Sequence, residues 1–161
     1  RKKEGIYAIQ GIRFNTTIEV LREFLKNGRY DWDKELALTR EYVDDVMQTK
    51  YAGVEQPIGR LSGGNQQKIV LSRWIAAKKK LILLDEPTRG VDVGAKQEIY
   101  DNLKRLAAQG VGIIIFSSET DELLSSSDRI LIMREGRIVK ELITARTSSE
   151  EILHYSIAAA D

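Results

Sequence analysis

The sequence contains no cysteine and only one histidine, His154, among its 161 residues. The absence of cysteine excludes a disulfide framework, a thiolate metal site and a cysteine nucleophile. A single histidine leaves no histidine metal cluster and no basis for a Ser–His–Asp triad. His154 falls in a predicted C-terminal helix with no ligand-type neighbour, so we interpret it as an uninvolved surface residue.

An excess of charge of either sign is also lacking. Lys and Arg number 25, Asp and Glu number 24, and the formal net charge is +1. Proteins that bind nucleic acid through its phosphates carry a basic surplus. The balance therefore gives no electrostatic reason to propose a nucleic-acid partner.

Long apolar runs and a signal peptide are absent as well. The apolar runs at 81–84 and 113–116 are short, whereas a membrane-spanning helix needs about 20 residues. The sequence begins at Arg1 without a signal-peptide pattern. We expect no membrane span, and we expect the chain to be a piece of a longer polypeptide.

The first part of the chain, residues 1–60, shows helical spacing. An amphipathic pattern after Thr17 predicts a helix that ends at Asn27-Gly28, with Gly28 in the left-handed position after the helix. A second helix is predicted over 33–50, with Asp33 as its N-cap. Gly53 and Pro57 then break the chain.

From Leu61 onwards, helices and strands alternate. Residues 61–64 open a helix whose predicted buried face is Val70, Leu71, Trp74 and Ile75. Further elements are predicted as strands at 81–84 and 111–116, an intervening helix stopped by Gly110, a capping box at 118–121, a hairpin through Glu135-Gly136, and a final helix from Ser148 towards Ala160. Continuous apolar strands alternating with amphipathic helices predict an α/β fold with a parallel sheet covered on both faces.

Polar residues follow the two predicted parallel strands, where such sheets bind ligands. Asp85 and Glu86 come directly after the first strand, and Ser118 comes just after the second. An Asp at this place suits Mg²⁺, held through water, and an adjacent Glu suits a general base that polarises an attacking water. Taken alone, the same pair is equally a solvated acidic turn.

A second candidate site is the start of the helix at Ser62. The Ser62 side chain is suited to cap the helix, while Gly63 and Gly64 let backbone N–H groups approach a ligand. The N-terminus of a helix attracts anions. The alternative is a glycine-rich helix start that binds nothing.

Taken in order and at this spacing, these segments resemble the ATP-binding-cassette (ABC) ATPases. Residues 61–68 resemble the signature motif, 81–86 the Walker B strand and 90–92 the D-loop. Residues 55–59, 64–67 and 85–96 further resemble the second cassette of bacterial monosaccharide importers of the ribose/galactose/xylose type. The resemblance implies a P-loop NTPase-like parallel sheet with flanking helices. It implies a permease-facing ABC helical subdomain over 1–60 and a RecA-like α/β part over 61–161.

Two departures from the family pattern stand out. The sequence has no Gly-x-x-x-x-Gly-Lys-[Ser/Thr] loop, so the N-terminal Walker A part is lacking. Ser118 stands at the switch position, where the family usually has histidine. The resemblance therefore implies a degenerate hydrolytic site. The simplest alternative for Ser118 is a plain helix N-cap.

The resemblance also implies roles for individual residues. Family cassettes pair head to tail, so four signature residues would bind, in trans, the nucleotide held by the first cassette of the same polypeptide. These residues are Ser62, Gly63, Gly64 and Gln66. Asp92 would lie at the pairing interface, Asp85 would hold Mg²⁺ and Glu86 would be catalytic. The implied cofactors are ATP and Mg²⁺.

The leading interpretation is a fragment of the ATPase subunit of a sugar importer, inactive on its own. It would sit at the cytoplasmic face of the bacterial inner membrane. Its implied partners are the membrane permease and, indirectly, a periplasmic sugar-binding protein. An alternative is a non-catalytic cassette that lends its signature motif and docks the permease. A soluble ABC protein acting on ribosomes or nucleic acid is disfavoured by the balanced charge. Without its other strands, the sheet is expected to expose apolar surface and to favour self-association.

Overall fold

A computed structural model describes residues 5–157 of the chain. Its helices are α1 (Ile12–Thr17), α2 (Trp32–Arg40), α3 (Gly63–Ala76), α4 (Val93–Ala108), α5 (Thr120–Ser126) and α6 (Ser149–Ile157). Its strands are β1 (Leu25–Lys26), β2 (Arg29–Tyr30), β3 (Leu81–Asp85), β4 (Gly112–Phe116), β5 (Arg129–Arg134) and β6 (Arg137–Ile143). Within 5–157, no helix has the length and apolar character needed to cross a membrane.

The N-terminal part is helical, as the sequence predicts, but its elements differ. Asn27 and Gly28 have φ values of 50° and 76° and form the turn of the β1–β2 hairpin, so the helix predicted to end there was wrong. Two consecutive residues with positive φ match the right-handed twist of a two-residue hairpin. Residues 21–24 form only a short 3₁₀ turn before it. Helix α1 was not predicted.

Helix α2 begins two residues earlier than predicted. Its N-cap is Asp31, whose carboxylate accepts a hydrogen bond from the amide of Lys34, so the assignment of Asp33 as cap was wrong. Residues 41–46 continue α2 as a wider π-helical turn. The side chain of Asp31 is the one placed to accept from an amide three residues ahead, which is the geometry that a cap requires.

Helix α3 joins two apolar clusters. Ile69 packs with Ile12, Val43 and Ile58 of the N-terminal part. Leu71 packs in a second cluster with β3 and α4. Arg73 adds hydrogen bonds from its guanidinium to the main-chain oxygens of Asn15 and Gly5. The division at residue 60 remains a prediction, and α3 contacts both sides of it.

The predicted core position of Trp74 was wrong. The side chain is 36% exposed and lines a shallow cavity of about 250 Å³ beside Leu81 and Leu83. Because α3 packs against two clusters at once, its buried face shifts to Ile69, Leu71, Ser72, Arg73 and Ala76. Val70 and Ile75 are only half-buried.

Strands β3 and β4 form the parallel pair that the sequence predicts. Their register runs from Leu81 opposite Gly112 to Asp85 opposite Phe116, and α4 is the crossover. Ile82 and Leu84 point to the face that packs on α4. The opposite face is exposed, with Leu83 61% accessible. The prediction of a sheet covered on both faces was therefore wrong for one face, while the expected exposed apolar surface is present.

The C-terminal part is an antiparallel hairpin with a helix against it. Strands β5 and β6 pair through a turn in which Glu135 and Gly136 have φ values of 50° and 76°. One face packs on α6 through Ile130, Ile132, Leu142 and Ile152. The Ser148 hydroxyl accepts from the amide of Glu151 over 3.2 Å, so α6 begins at the predicted serine cap. Ala160, the predicted limit of this helix, lies outside the described residues.

Candidate functional site

The carboxyl ends of β3 and β4 meet at one edge of the parallel pair. Asp85, the last residue of β3, lies opposite Phe116, the last residue of β4. The amide of Glu86 donates to the carbonyl of Phe116 over 2.8 Å, which extends the pairing by one residue. The segments that follow the two strands are thereby held side by side, as the parallel arrangement predicts.

Glu86 and Ser118 are in direct contact at this edge. The amide and the hydroxyl of Ser118 both donate to Oε1 of Glu86, over 2.9 Å and 2.8 Å. Glu86 has a φ of 46°, a left-handed conformation that is uncommon outside glycine. Such conformations persist where surrounding structure enforces them, and they are frequent at functional sites.

Ser118 is not the helix cap that the sequence suggested. The N-cap position of α5 belongs to Glu119, which makes no side-chain capping bond. Ser117 instead accepts from the amide of Glu119 over 3.0 Å. The predicted capping box at 118–121 was therefore wrong, because the Ser118 hydroxyl is bonded to Glu86.

The carboxylate of Asp85 is available to a magnesium ion. Its side chain is exposed at the strand end and engages in no hydrogen bond or ion pair among the described residues. Mg²⁺ in nucleotide sites takes one or two carboxylates and completes its shell with water and phosphate oxygens. Residues 5–157 contain no cluster of three metal-ligating side chains, so Asp85 would be a single carboxylate that holds Mg²⁺ through water.

Ser62 caps α3 and remains open to solvent. Its hydroxyl accepts from the side-chain amide of Asn65 over 3.0 Å and, more weakly, from the Asn65 main-chain amide over 3.4 Å. Gln66 is buried, and its side-chain amide donates to the carbonyl of Leu61. At the start of α3, Ser62 therefore faces solvent, whereas the buried Gln66 side chain stabilises the turn through its hydrogen bond to Leu61.

The two glycines after Ser62 allow close packing. A Cβ on Gly64 would lie 2.6 Å from the Cβ of Ala95 on α4. A Cβ on Gly63 would lie 3.3 Å from the carbonyl oxygen of Gly90. Since Gly64 is buried, its lack of a side chain is explained by the contact between α3 and α4.

Asp92 caps α4 beside the start of α3. Its carboxylate accepts from the amide of Ala95 over 3.0 Å and is exposed. A Cβ on Gly64 would be 3.8 Å from the second oxygen of Asp92. The structure thus brings Ser62, Gly63, Gly64 and Asp92 into one group, and Asp85, Glu86 and Ser118 into another. Among residues 5–157, no side-chain hydrogen bond joins the two groups.

Sequence reasoning missed a buried polar group near Glu86. Thr88 donates from its hydroxyl to Oε1 of Glu122 over 2.8 Å, and the Tyr100 hydroxyl lies 3.2 Å from the same Thr88 oxygen. Burial raises the pKa of Tyr100. Acidic residues are common in the first turn of a helix, so Glu122 does not stand out in the sequence. The sequence therefore does not indicate the contact between Thr88 and Glu122.

Lys96 and Glu119 add an ion pair between α4 and the start of α5. The hydrogen bond to Glu119 is the main reason that the pKa of Lys96 is raised. This pair attaches the start of α5 to α4, and the Thr88–Glu122 contact attaches α5 to the segment that follows β3.

The profile of the ABC transporter family matches residues 3–89, more than half of the chain. The galactose/methyl galactoside import ATP-binding protein MglA of Mannheimia succiniciproducens is 44% identical over 153 residues, which are 95% of this chain and 30% of that protein. The ribose import ATP-binding protein RbsA of Chelativorans sp. is 42% identical over 158 residues, 98% of this chain and 31% of that protein. The chain thus spans about 30% of the length of these relatives.

Two solved structures share the fold. A putative metal-chelate type ABC transporter in an inward-facing conformation superposes with a TM-score of 0.73 at 20% identity, covering 91% of this chain and 58% of that one. A dimeric ATP-binding cassette in a post-hydrolysis state, bound to ADP and Pi, gives a TM-score of 0.70 at 20% identity, covering 86% and 59%. By fold and by sequence, the chain belongs to the ABC transporter family.

Proposed function

We propose that this chain is part of the ATPase subunit of a bacterial monosaccharide importer, which couples hydrolysis of Mg-ATP to sugar uptake. The relatives that match it over 95% of its length or more are import ATP-binding proteins for galactose, methyl galactoside and ribose. The observation that carries the proposal is the pairing of Asp85 and Glu86 at the open end of β3, with Glu86 fixed by Ser118.

Glu86 acts as the general base in this proposal. Ser118 occupies Oε1 with two donors, whereas no donor among the described residues engages Oε2. A carboxylate held through one oxygen presents the other in a defined direction. Oε2 would accept a proton from the water as the water oxygen bonds to the γ-phosphorus and the bond to the leaving ADP breaks, and Asp85 would hold Mg²⁺ through water at the same edge.

The start of α3 serves a second nucleotide in trans. Ser62 is exposed and lies at the N-terminus of a 14-residue helix, where free amides and the helix dipole favour an anion. Ser62 and the amides of Gly63 and Gly64 would contact the terminal phosphate held by the first cassette of the same polypeptide, with Asp92 at the pairing interface. A direct nucleotide contact by Gln66 stays a prediction, since its amide is bonded to Leu61.

The proposed partners are the first cassette, the membrane permease and, indirectly, a periplasmic sugar-binding protein. Residues 1–60 would face the permease at the cytoplasmic side of the inner membrane. The second candidate function is a non-catalytic cassette that lends Ser62 and docks the permease. The presence of serine rather than histidine at position 118 favours this alternative.

Replacement of Glu86 separates the two candidates. In the complete importer, Glu86→Gln is expected to lower ATP hydrolysis and sugar uptake if this site is catalytic, with Asp121→Asn, on an exposed carboxylate nearby, as the control. Unchanged hydrolysis and uptake would favour the non-catalytic cassette. The 161-residue chain alone is expected to show neither micromolar affinity for Mg-ATP nor turnover in a calorimetric titration, and either result would contradict the proposal.

A further inference from the structure

A buried group of three side chains joins the segments that carry Glu86 and Ser118. Thr88 lies two residues after Glu86, and Glu122 lies four residues after Ser118. The Thr88 hydroxyl donates to Oε1 of Glu122 over 2.8 Å. Because that hydroxyl has one hydrogen, the Tyr100 hydroxyl is the donor to Thr88. The chain of bonds therefore runs from α4 through the turn after β3 to α5.

The burial of Glu122 lowers the free energy of unfolding. Glu122 is 1% exposed, and its Oε2 has no hydrogen-bond partner among the described residues. Burying a carboxylate with an unpartnered oxygen opposes folding. Buried polar atoms without partners are rare and call for a reason other than stability.

The contacts of Glu122 and Glu119 lie on the segment that directly follows Ser118. Helix α5 begins two residues after Ser118, and Glu122 is in its first turn. The bond to Thr88 ties that turn to the segment that bears Glu86. The ion pair of Lys96 with Glu119 ties the residue next to Ser118 to α4. If α5 shifts, the two donors of Ser118 move away from Glu86.

We propose that Glu122 is a positioning residue: by accepting from Thr88 it holds α5 in the place from which Ser118 orients the carboxylate of Glu86. Glu122 touches neither nucleotide nor metal in this assignment, and its effect passes through Ser118. The catalytic consequence rests on the proposed role of Glu86 as general base. The positioning itself is a property of the folded chain and is measurable without nucleotide.

Amide hydrogen exchange at Ser118, followed by NMR in the 161-residue chain, tests the positioning. Glu122→Leu removes the acceptor and fills the space. It is expected to reduce protection of the Ser118 amide about tenfold, a larger loss of protection than at amides elsewhere in the chain. Glu122→Gln keeps an oxygen that accepts from Thr88 and is expected to retain protection. Asp121→Asn, on the exposed neighbouring residue, is the matched control.

A second variant tests the same contact if Glu122→Leu does not fold. Thr88→Val removes the donor at nearly constant volume and is expected to reduce Ser118 protection to the same extent. Protection retained in both Glu122→Leu and Thr88→Val would overturn the proposal. A parallel loss of protection and of unfolding free energy in Glu122→Leu and Glu122→Gln would also overturn it, because Glu122 would then be structural only.

Steady-state kinetics of the complete importer distinguish this proposal from the proposed function. Glu122→Leu is expected to lower kcat for ATP with KM unchanged, and Glu122→Gln is expected to restore kcat. If Ser118 protection falls as expected while kcat stays constant, the positioning is supported and the catalytic role of Glu86 is wrong. Unchanged Ser118 protection overturns the positioning, whatever the kinetics show.

Discussion

Ser118 and Glu86 form a two-donor contact, in which the amide and the hydroxyl of one residue converge on a single carboxylate oxygen of the other, over 2.9 Å and 2.8 Å. Hydrogen bonds to an ionised acceptor are about twice as strong as those between neutral groups. Ser118 therefore makes a direct contact with the acidic residue after β3, although it lacks an imidazole ring. In our proposal this contact orients the carboxylate.

The close contact between α3 and α4 predicts that a methyl group added at Gly64 lowers the stability of the chain. Gly64→Ala places a Cβ 2.6 Å from the Cβ of Ala95, a distance that forces the helices apart. We expect a loss of about 1–3 kcal/mol in the free energy of unfolding, as for other overpacked sites. Urea denaturation of the chain measures the loss.

Gly53→Ala is the matched control, since nothing lies within 4 Å of a Cβ at that position. It is expected to leave stability nearly unchanged. Ala95→Gly is expected to rescue Gly64→Ala in part, because it removes the opposing methyl group. A Gly64→Ala protein as stable as its parent would contradict the close packing of α3 on α4.

The uncovered face of the β3–β4 pair predicts self-association of the 161-residue chain. Leu83 and Ile114 lie opposite each other on that face, and both are exposed. Contiguous exposed apolar surface is buried when another molecule covers it. We expect sedimentation velocity to show oligomers that increase with concentration, and Leu83→Lys combined with Ile114→Thr to reduce them.

Ile9→Lys provides the comparison, because Ile9 is exposed but belongs to no strand. It is expected to leave the association unchanged. A parent chain that stays monomeric at high concentration would show that the exposed sheet face does not associate.

Tyr51 predicts a loss of stability at alkaline pH. Burial, together with the hydrogen bond to Asp44, raises the pKa of Tyr51 from 10.0 to about 12. The folded chain thus keeps a proton that the unfolded chain releases near pH 10. The free energy of unfolding is therefore expected to fall as pH rises from about 10 to 12. Urea denaturation across this range measures the slope.

Tyr51→Phe is expected to make that slope shallower, because the titrating group is removed. Asp44→Asn is expected to do so in part, whereas Asp45→Asn is the neighbouring control, with a carboxylate that is not bonded to Tyr51. Equal slopes in all of these proteins would show that Tyr51 contributes nothing to the pH dependence.

Local patterns predicted the elements that carry the site. The predicted runs at 81–84 and 111–116 correspond to the parallel strands β3 and β4, because continuous apolar runs suit a sheet that a crossover helix covers. Ser62 caps α3, and the turn at Glu135 and Gly136 forms a hairpin, because in each case a short stretch of sequence determines the backbone geometry.

The errors arose where long-range packing determined the outcome. Trp74 fits the apolar stripe of a helix with one buried face, but α3 packs against two clusters and leaves Trp74 at the margin. Asn27 and Gly28 suit a helix end and a hairpin turn equally, and only the pairing of β1 with β2 decides between them. The Ser118–Glu86 and Thr88–Glu122 contacts join residues more than 30 positions apart.

Hydrolysis of Mg-ATP by the complete importer carrying Ser62→Asp tests most directly whether the start of α3 serves a nucleotide. Aspartate caps a helix as well as serine does, so stability is expected to be retained, but its charge faces the phosphate. We predict a fall in kcat of about 10²–10³, the usual effect of losing one donor to a developing anion, and near-normal activity for Ser62→Thr. A stable Ser62→Asp protein with the parent kcat would contradict the account.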